Sequence, residues 1–170
     1  SPPFTGSGKT PGYIASYPPG IRENGGQYTH AAVWLAIALL REGMANEGYR
    51  LLKLLNPASF CADTQRAGVY RAEPYALAGD ICSAPGVEGR AGWSLYTGAA
   101  AWYYRAVMEE LLGVKLENGS LLVRPVLPVD WSGYRAVIKA AGTAVSLTVR
   151  NKAGAELFVD GKAARAIPLD

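Results

Sequence analysis

The chain has one histidine, two cysteines and no run of lysine or arginine. Each scarcity excludes a class of function. A lone histidine and two distant cysteines, Cys61 and Cys82, cannot furnish a full tetrahedral zinc set, so no metal site is expected. The thiols are expected to be reduced and partly buried, with a disulfide as the alternative. A net charge of only +3 without a basic cluster argues against nucleic acid as a partner. Charged residues make up 18% and hydrophobic ones 49%, which excludes a disordered chain or a coiled coil. The longest apolar run is too short and interrupted to span a bilayer, and no signal peptide is expected at the N-terminus.

What is present points to a folded chain with a site. A length of 170 residues can bury one core, or one domain and part of another. The opening residues, rich in Pro, Gly and Ser, read as a loop, as if the segment were cut from a longer chain. Gly6-Ser7-Gly8-Lys9-Thr10 lacks the spacing and the preceding strand of a phosphate-binding loop and is set aside. Helical periodicity then takes over. Ala31, Trp34, Leu35, Ala38 and Leu39 fall on one stripe, expected to be buried. Gly43 stops this helix, and Asn46 is a candidate cap for a second one over Glu47 to Leu55, giving a helical hairpin.

Residues 57 to 92 read as a long irregular stretch with a short helix at Pro74 to Ile81, and a third strong helix follows from Gly98 to Leu112. Thr97 or Ser94 is its candidate N-cap, and Gly113 the residue just past its end. Beyond Val114 the pattern turns to strands at Leu121 to Val123, Ala136 to Lys139, Val145 to Val149 and Glu156 to Val159. Asn118-Gly119 and Asp160-Gly161 read as hairpin turns, and Asp130-Trp131 as a turn with an aromatic packing anchor. Helices followed by strands predict an α+β chain in two parts.

Candidate chemistry gathers at helix starts. The stretch from Gly20 to His30, GIRENGGQYTH, runs straight into the first helix. A helix start carries unpaired N–H groups and the positive end of the dipole, which suit an anion or a sugar oxygen. His30 alone would read as a structural histidine. Beside it, however, Gly25-Gly26 permits close backbone approach and Arg22-Glu23 adds a planar donor fork and an acceptor, which favours a site. Thr97-Gly98 opens the third helix and forms a second potential anion-facing start; alone it would pass as an ordinary cap. Glu73-Pro74 is either a plain helix start or a sugar-site acceptor.

Five segments in order, GIRENGGQYTHAAVW, LLKLLNP, YRAEPYALAGD, GRAGWSLYTGAAAWYYR and LLVRPVLPVDW, resemble glycoside hydrolase family 94. That family holds inverting disaccharide phosphorylases and the phosphorylase-like region of cyclic β-1,2-glucan synthases. The YRAEPYALAGD form lies nearer the β-1,2-glucan branch. The resemblance implies an architecture. Residues 1–113 would be the C-terminal part of an (α/α)6 toroid, and 114–170 a small β-rich, sandwich-like C-terminal domain.

It also implies a function. The parent would use phosphate to cleave a β-linked glucan or disaccharide with inversion, giving a sugar 1-phosphate. Phosphate is a co-substrate, and no cofactor is required. Of the residues matching the family's motifs, His30, Thr97 and Gly98 would bind phosphate and Arg22 and Glu23 would line the sugar subsite; Glu73, from its place before Pro74, is counted with them as a sugar-subsite candidate. No catalytic residue is expected in this chain, because the family's general-acid aspartate lies upstream of it. Expected partners are a β-linked oligosaccharide, phosphate, the remainder of the barrel and a second copy in a homodimer. The family points to the cytoplasm, or to membrane tethering through segments outside this sequence. A different reading is a non-catalytic carbohydrate-binding or structural module of a larger glucan synthase.

Overall fold

A computed structural model describes residues 3–4, 11–95, 98–140, 142–151, 157–159, 162–164 and 167–168. The chain is mixed helix and antiparallel sheet, an α+β fold, and divides into two compact units. The first comprises Ser1–Ala36 and Leu51–Tyr104, the second Ile37–Arg50 and Arg105–Asp170.

The first unit is built on a small three-stranded sheet in the order β1 (Gln27–Tyr28), β2 (Asp80–Ile81), β3 (Ala91–Gly92). Helix α1 (Thr29–Arg41) leaves β1 directly, and the Thr29 N–H is held by the Gly79 carbonyl at 3.0 Å. The sequence pattern marks Ala31, Trp34, Leu35, Ala38 and Leu39 as the buried stripe, and the structure corrects this. Val33, Ala36, Ile37 and Leu40 are buried, whereas Trp34 and Leu35 are 53% and 56% exposed. Every residue from 31 to 40 is apolar, so each i, i+3, i+4 path looks equally hydrophobic and periodicity cannot choose a face.

Helix α2 (Ala45–Leu55) starts two residues earlier than the pattern suggests. Asn46 therefore lies inside it and does not cap it; its Oδ1 accepts the Val129 N–H instead, at 3.0 Å. The stretch from 57 to 92 holds two short helices, α3 (Pro57–Phe60) and α4 (Thr64–Tyr70), each with an Asn or Asp side chain accepting an N–H of its first turn. No helix forms at Pro74 to Ile81. That segment turns and then joins the small sheet as β2, because its carboxylate and backbone find partners there. Cys61 and Cys82 are free thiols, the second buried. Helix α5 (Gly98–Arg105) continues into a π-helical segment, Ala106–Leu111, where a single α-helix was expected.

In the second unit, α1 ends with the Gly43 N–H on the Leu40 carbonyl and the Met44 N–H on the Leu39 carbonyl, with Gly43 at φ +75°. This is the glycine-terminated helix end that the sequence predicts. Strands β4 (Val114–Glu117) and β5 (Ser120–Val123) form a hairpin across Asn118-Gly119, both at positive φ (+49° and +73°), as a type I′ turn requires. Strand β10 (Ile167–Pro168) adds to β5; β6 (Gly133–Ala140) pairs with β7 (Thr143–Arg150), and β8 (Leu157–Val159) with β9 (Lys162–Ala164). The Asp160-Gly161 turn lies outside the described residues.

Val114, Leu121 and Leu147 centre a core that the β6–β7 hairpin shares with the β10-β5-β4 sheet. Trp131 anchors its turn by an edge-on contact with Tyr49, ring centroids 5.1 Å apart. Among the described residues, no helix is long and apolar enough to cross a membrane.

Glu110, buried in the π-helical segment, accepts from Arg41 Nη2 at 2.8 Å and Nε at 3.1 Å, and from Lys115 Nζ at 3.3 Å. Burial alone would push its carboxyl up; the Arg41 hydrogen bonds and the Lys115 charge outweigh it and hold the group below the ordinary glutamate value. A depressed folded-state pKa adds stability above the unfolded value, and that stability is lost as pH falls through the folded one. Arg41 is largely exposed, so Glu110→Gln should cost only about 1 kcal/mol at neutral pH. The cost should shrink once pH drops below about 4.3. Urea midpoints of both forms across that range check this.

Candidate functional site

The site residues sit in the first unit, on segments drawn together by the small sheet. The turn carrying Arg22 and Glu23 is closed by the Gly20 N–H on the Asn24 carbonyl at 2.7 Å and the Asn24 N–H on the Ile21 carbonyl at 3.0 Å. Buried Asn24 anchors it from beneath, donating to the Tyr17 carbonyl and accepting the Phe4 N–H. Gly26 is required here because a Cβ would press on the Arg22 N–H and the Gly20 carbonyl, at 2.7 and 2.8 Å. Arg22 itself is left-handed, at φ +47°, a conformation costing about 1 kcal/mol or more for a non-glycine residue.

Three rings surround the Arg22 guanidinium. Its Cζ is 5.4 Å from the Tyr17 centroid, 5.3 Å from Tyr28 and 5.1 Å from Trp93. Burial works against its charge, but Tyr28, Tyr17 and Glu23 outweigh that and favour the protonated form. The backbone N–H of Arg22 donates to Asp80 Oδ2 at 3.2 Å. Asp80 is 2% exposed, and burial pushes its carboxyl up, with Arg22 opposing that shift. A half-open cleft of about 320 Å³ lies alongside, lined by Ile21, Asp80, Arg90 and Trp93 among others.

His30, in the first turn of α1, stands in an aromatic setting. Its ring centroid is 4.8 Å from Trp34, edge-on, and 6.0 Å from Trp102. Gly98, at the start of α5, lies near it: a Cβ there would stand 3.5 Å from His30 Cε1 and Nδ1, an ordinary van der Waals distance. The structure thus brings His30 and Gly98 together from positions far apart in sequence, while Thr97 lies outside the described residues. Glu73 meets the segment preceding α5: a hydrogen bond from Ser94 holds its carboxyl below the ordinary value. Arg22 and Glu73 therefore both reach the Trp93–Ser94 segment.

Buried polar atoms without a hydrogen-bond partner among the described residues are Arg22 Nε, Glu23 Oε2, His30 Nε2, Glu73 Oε2 and Asp80 Oδ1. Buried polar groups are nearly always satisfied, and four of these five atoms belong to residues that the sequence reading places in the site. The fifth, Asp80, went unmarked by sequence reasoning, as did Tyr17, Trp93 and Trp102. The available signal for Asp80 and Trp93 was their place inside segments that also carry Glu73 and Gly98. No cluster of metal-ligating side chains occurs among the described residues.

The family described as glycosyl hydrolase 94 superfamily, catalytic domain, matches residues 1–113. The chain is 46% identical over 149 residues to cyclic beta-(1,2)-glucan synthase NdvB of Rhizobium meliloti (strain 1021), covering 88% of this chain and 5% of that protein. It is 30% identical over 168 residues to solabiose phosphorylase of Paenibacillus borealis, covering 95% and 22%. With N,N'-diacetylchitobiose phosphorylase of Vibrio furnissii it shares 27% over 173 residues, covering 98% and 21%. The chain thus spans at most about a fifth of the length of these relatives. The matched segment includes Arg22, Glu23, His30, Glu73 and Gly98, and the chain belongs to the glycosyl hydrolase 94 superfamily.

Proposed function

We propose that this chain is the C-terminal segment of an inverting glycoside phosphorylase acting on a β-linked glucan, and that it supplies a phosphate cradle and part of a sugar subsite. The observation carrying this is the nearness of His30 to Gly98 at the start of α5, where a Cβ on Gly98 would only just reach the imidazole, with His30 Nε2 buried and unpaired among the described residues. The first N–H groups of α5 have no acceptor within the helix, and glycine lets an oxyanion approach them. His30 supplies a directional donor beside that start. Thr97 is assigned to the same cradle from its place next to Gly98. Arg22, Glu23 and Glu73 are assigned to sugar hydroxyls, which their donor fork and free carboxylate oxygens suit.

In the reaction, a phosphate oxygen attacks the anomeric carbon from the face opposite the glycosidic bond. The bond breaks toward its oxygen, which takes a proton from a general acid, and a β-linkage yields an α-sugar 1-phosphate. Phosphate takes the place of an activated water, so the role of these residues is to hold the nucleophile in line. The general acid is assigned to an aspartate outside this chain. In this reading 1–113 close the (α/α)6 barrel and 114–170 form the β-rich domain. The remainder of the barrel covers the exposed face of α1, where Trp34 and Leu35 lie open. Identity to the glucan synthase favours β-1,2-linked glucan as substrate.

The test is phosphate-dependent release of sugar 1-phosphate from β-linked gluco-oligosaccharides by the full-length protein, with the 170-residue segment alone expected to be inactive. Full-length protein that binds such glucans yet releases no sugar phosphate from any of them would leave a carbohydrate-binding module instead.

A further inference from the structure

We infer that Asp80 is a positioning residue for Arg22, holding the turn that aims the guanidinium at the sugar; this rests on the reading of Arg22 as a sugar contact. Asp80 sits on the middle strand of the small sheet, opposite Tyr28 on β1 and opposite Gly92 on β3. Its carboxylate fits there because Gly92 lacks a side chain: a Cβ at that position would overlap Asp80 Oδ1. From this place Oδ2 takes the Arg22 N–H and so opposes relaxation of a left-handed, non-glycine backbone. The same strand pairs set the other end of Arg22. Tyr28 is the cross-strand neighbour of Asp80, and Trp93 follows Gly92, so two of the three rings around the guanidinium are fixed by the residues flanking Asp80.

Packing does not explain the carboxylate. A buried acid with one oxygen unpaired among the described residues is costly, and an asparagine could accept the Arg22 N–H at lower desolvation. A negative charge is useful at this place because the Arg22 side chain is the cation whose field it feels. Asp80 therefore holds the turn beneath Arg22 through its backbone, without itself needing to touch substrate.

The experiment uses the full-length protein with Asp80→Asn, Asp80→Ala and, as a variant that leaves the turn's hydrogen bond in place, Trp93→Leu. KM for a β-1,2-linked gluco-oligosaccharide and KM for inorganic phosphate are measured separately. Calorimetric Kd for the same oligosaccharide is measured without phosphate. Asp80→Ala should raise the sugar KM and Kd about tenfold or more while the phosphate KM stays within about twofold. Asp80→Asn should fall between it and wild type, and Trp93→Leu should show the same split between the two substrates. Asp80→Asn with wild-type sugar Kd, or with both KM values raised by one common factor, overturns the inference. Should Asp80→Ala fail to fold, Asp80→Asn and Trp93→Leu decide. Wild-type protein that binds oligosaccharide but releases no sugar phosphate removes the phosphorolysis reading alone, and the Kd series still judges Asp80. Wild-type protein that binds no oligosaccharide removes both.

Discussion

Replacing His30 with alanine in the full-length protein should raise the KM for inorganic phosphate by about 10- to 100-fold, with the oligosaccharide KM changed by less than about threefold. The magnitude follows from losing one hydrogen bond to a charged acceptor, about 1.5–3 kcal/mol, converted at about 1.4 kcal/mol per factor of ten. The selectivity follows from the geometry. His30 lies beside Gly98 at the start of α5 and against the rings of Trp34 and Trp102, whereas the Arg22 guanidinium sits among Tyr17, Tyr28 and Trp93, with the Tyr28 ring, 6.4 Å from that of His30, standing between the two. Loss of the imidazole also opens space beside Trp34 and Trp102, whose rings meet edge-on at 5.5 Å. His30→Gln separates the two effects: it retains a donor and most of the volume, and should recover part of the phosphate affinity. Initial rates over a phosphate series at saturating oligosaccharide provide the readout. A variant with an altered sugar KM and an unchanged phosphate KM would remove His30 from the cradle.

The sequence carries some of this site openly and conceals the rest for identifiable reasons. Helix ends and tight turns depend on single residues, so Gly43, Gly113 and Asn118-Gly119 could be read directly, and each adopts the positive φ its role requires. Strand β7 was also legible. Val145, Leu147 and Val149 turn inward while Ser146, Thr148 and Arg150 are exposed, a clean period of two. The small sheet is another matter. Strands of two residues, as in β1, β2 and β3, cannot display any period, and their pairing is set by contacts between distant segments. Asp80 was invisible for that reason: the pattern places it inside a short helix at Pro74 to Ile81, and only the pairing of β2 with β1 and β3 buries it. The face of α1 failed differently, since a helix apolar on all sides carries no directional signal.

Gly113→Ala should destabilise the second unit by about 3–6 kcal/mol, a large share of the roughly 5–15 kcal/mol that holds an ordinary domain together. Gly113 has φ +70°, where a side chain costs about 1–2 kcal/mol. The larger part comes from what a Cβ would meet. It would overlap the Arg124 carbonyl and crowd the Pro125 nitrogen, both backbone atoms with no rotamer to yield. Relief requires moving the strand exit away, and that exit is fastened by the Arg124 N–H on the Gly113 carbonyl at 2.8 Å and the Val126 N–H on the Leu111 carbonyl at 3.0 Å. Overpacking of this kind costs about 1–3 kcal/mol, and a loosened hydrogen bond about 1 more. Gly119 supplies the control within the same unit. It has nearly the same φ, +73°, but a Cβ there meets nothing within 4 Å, so Gly119→Ala should cost only the conformational part, about 1–2 kcal/mol. Urea midpoints for the two variants measure the difference. Equal losses would mean that the Arg124 segment yields without cost, and that the close approach at Gly113 contributes nothing to joining helix and sheet.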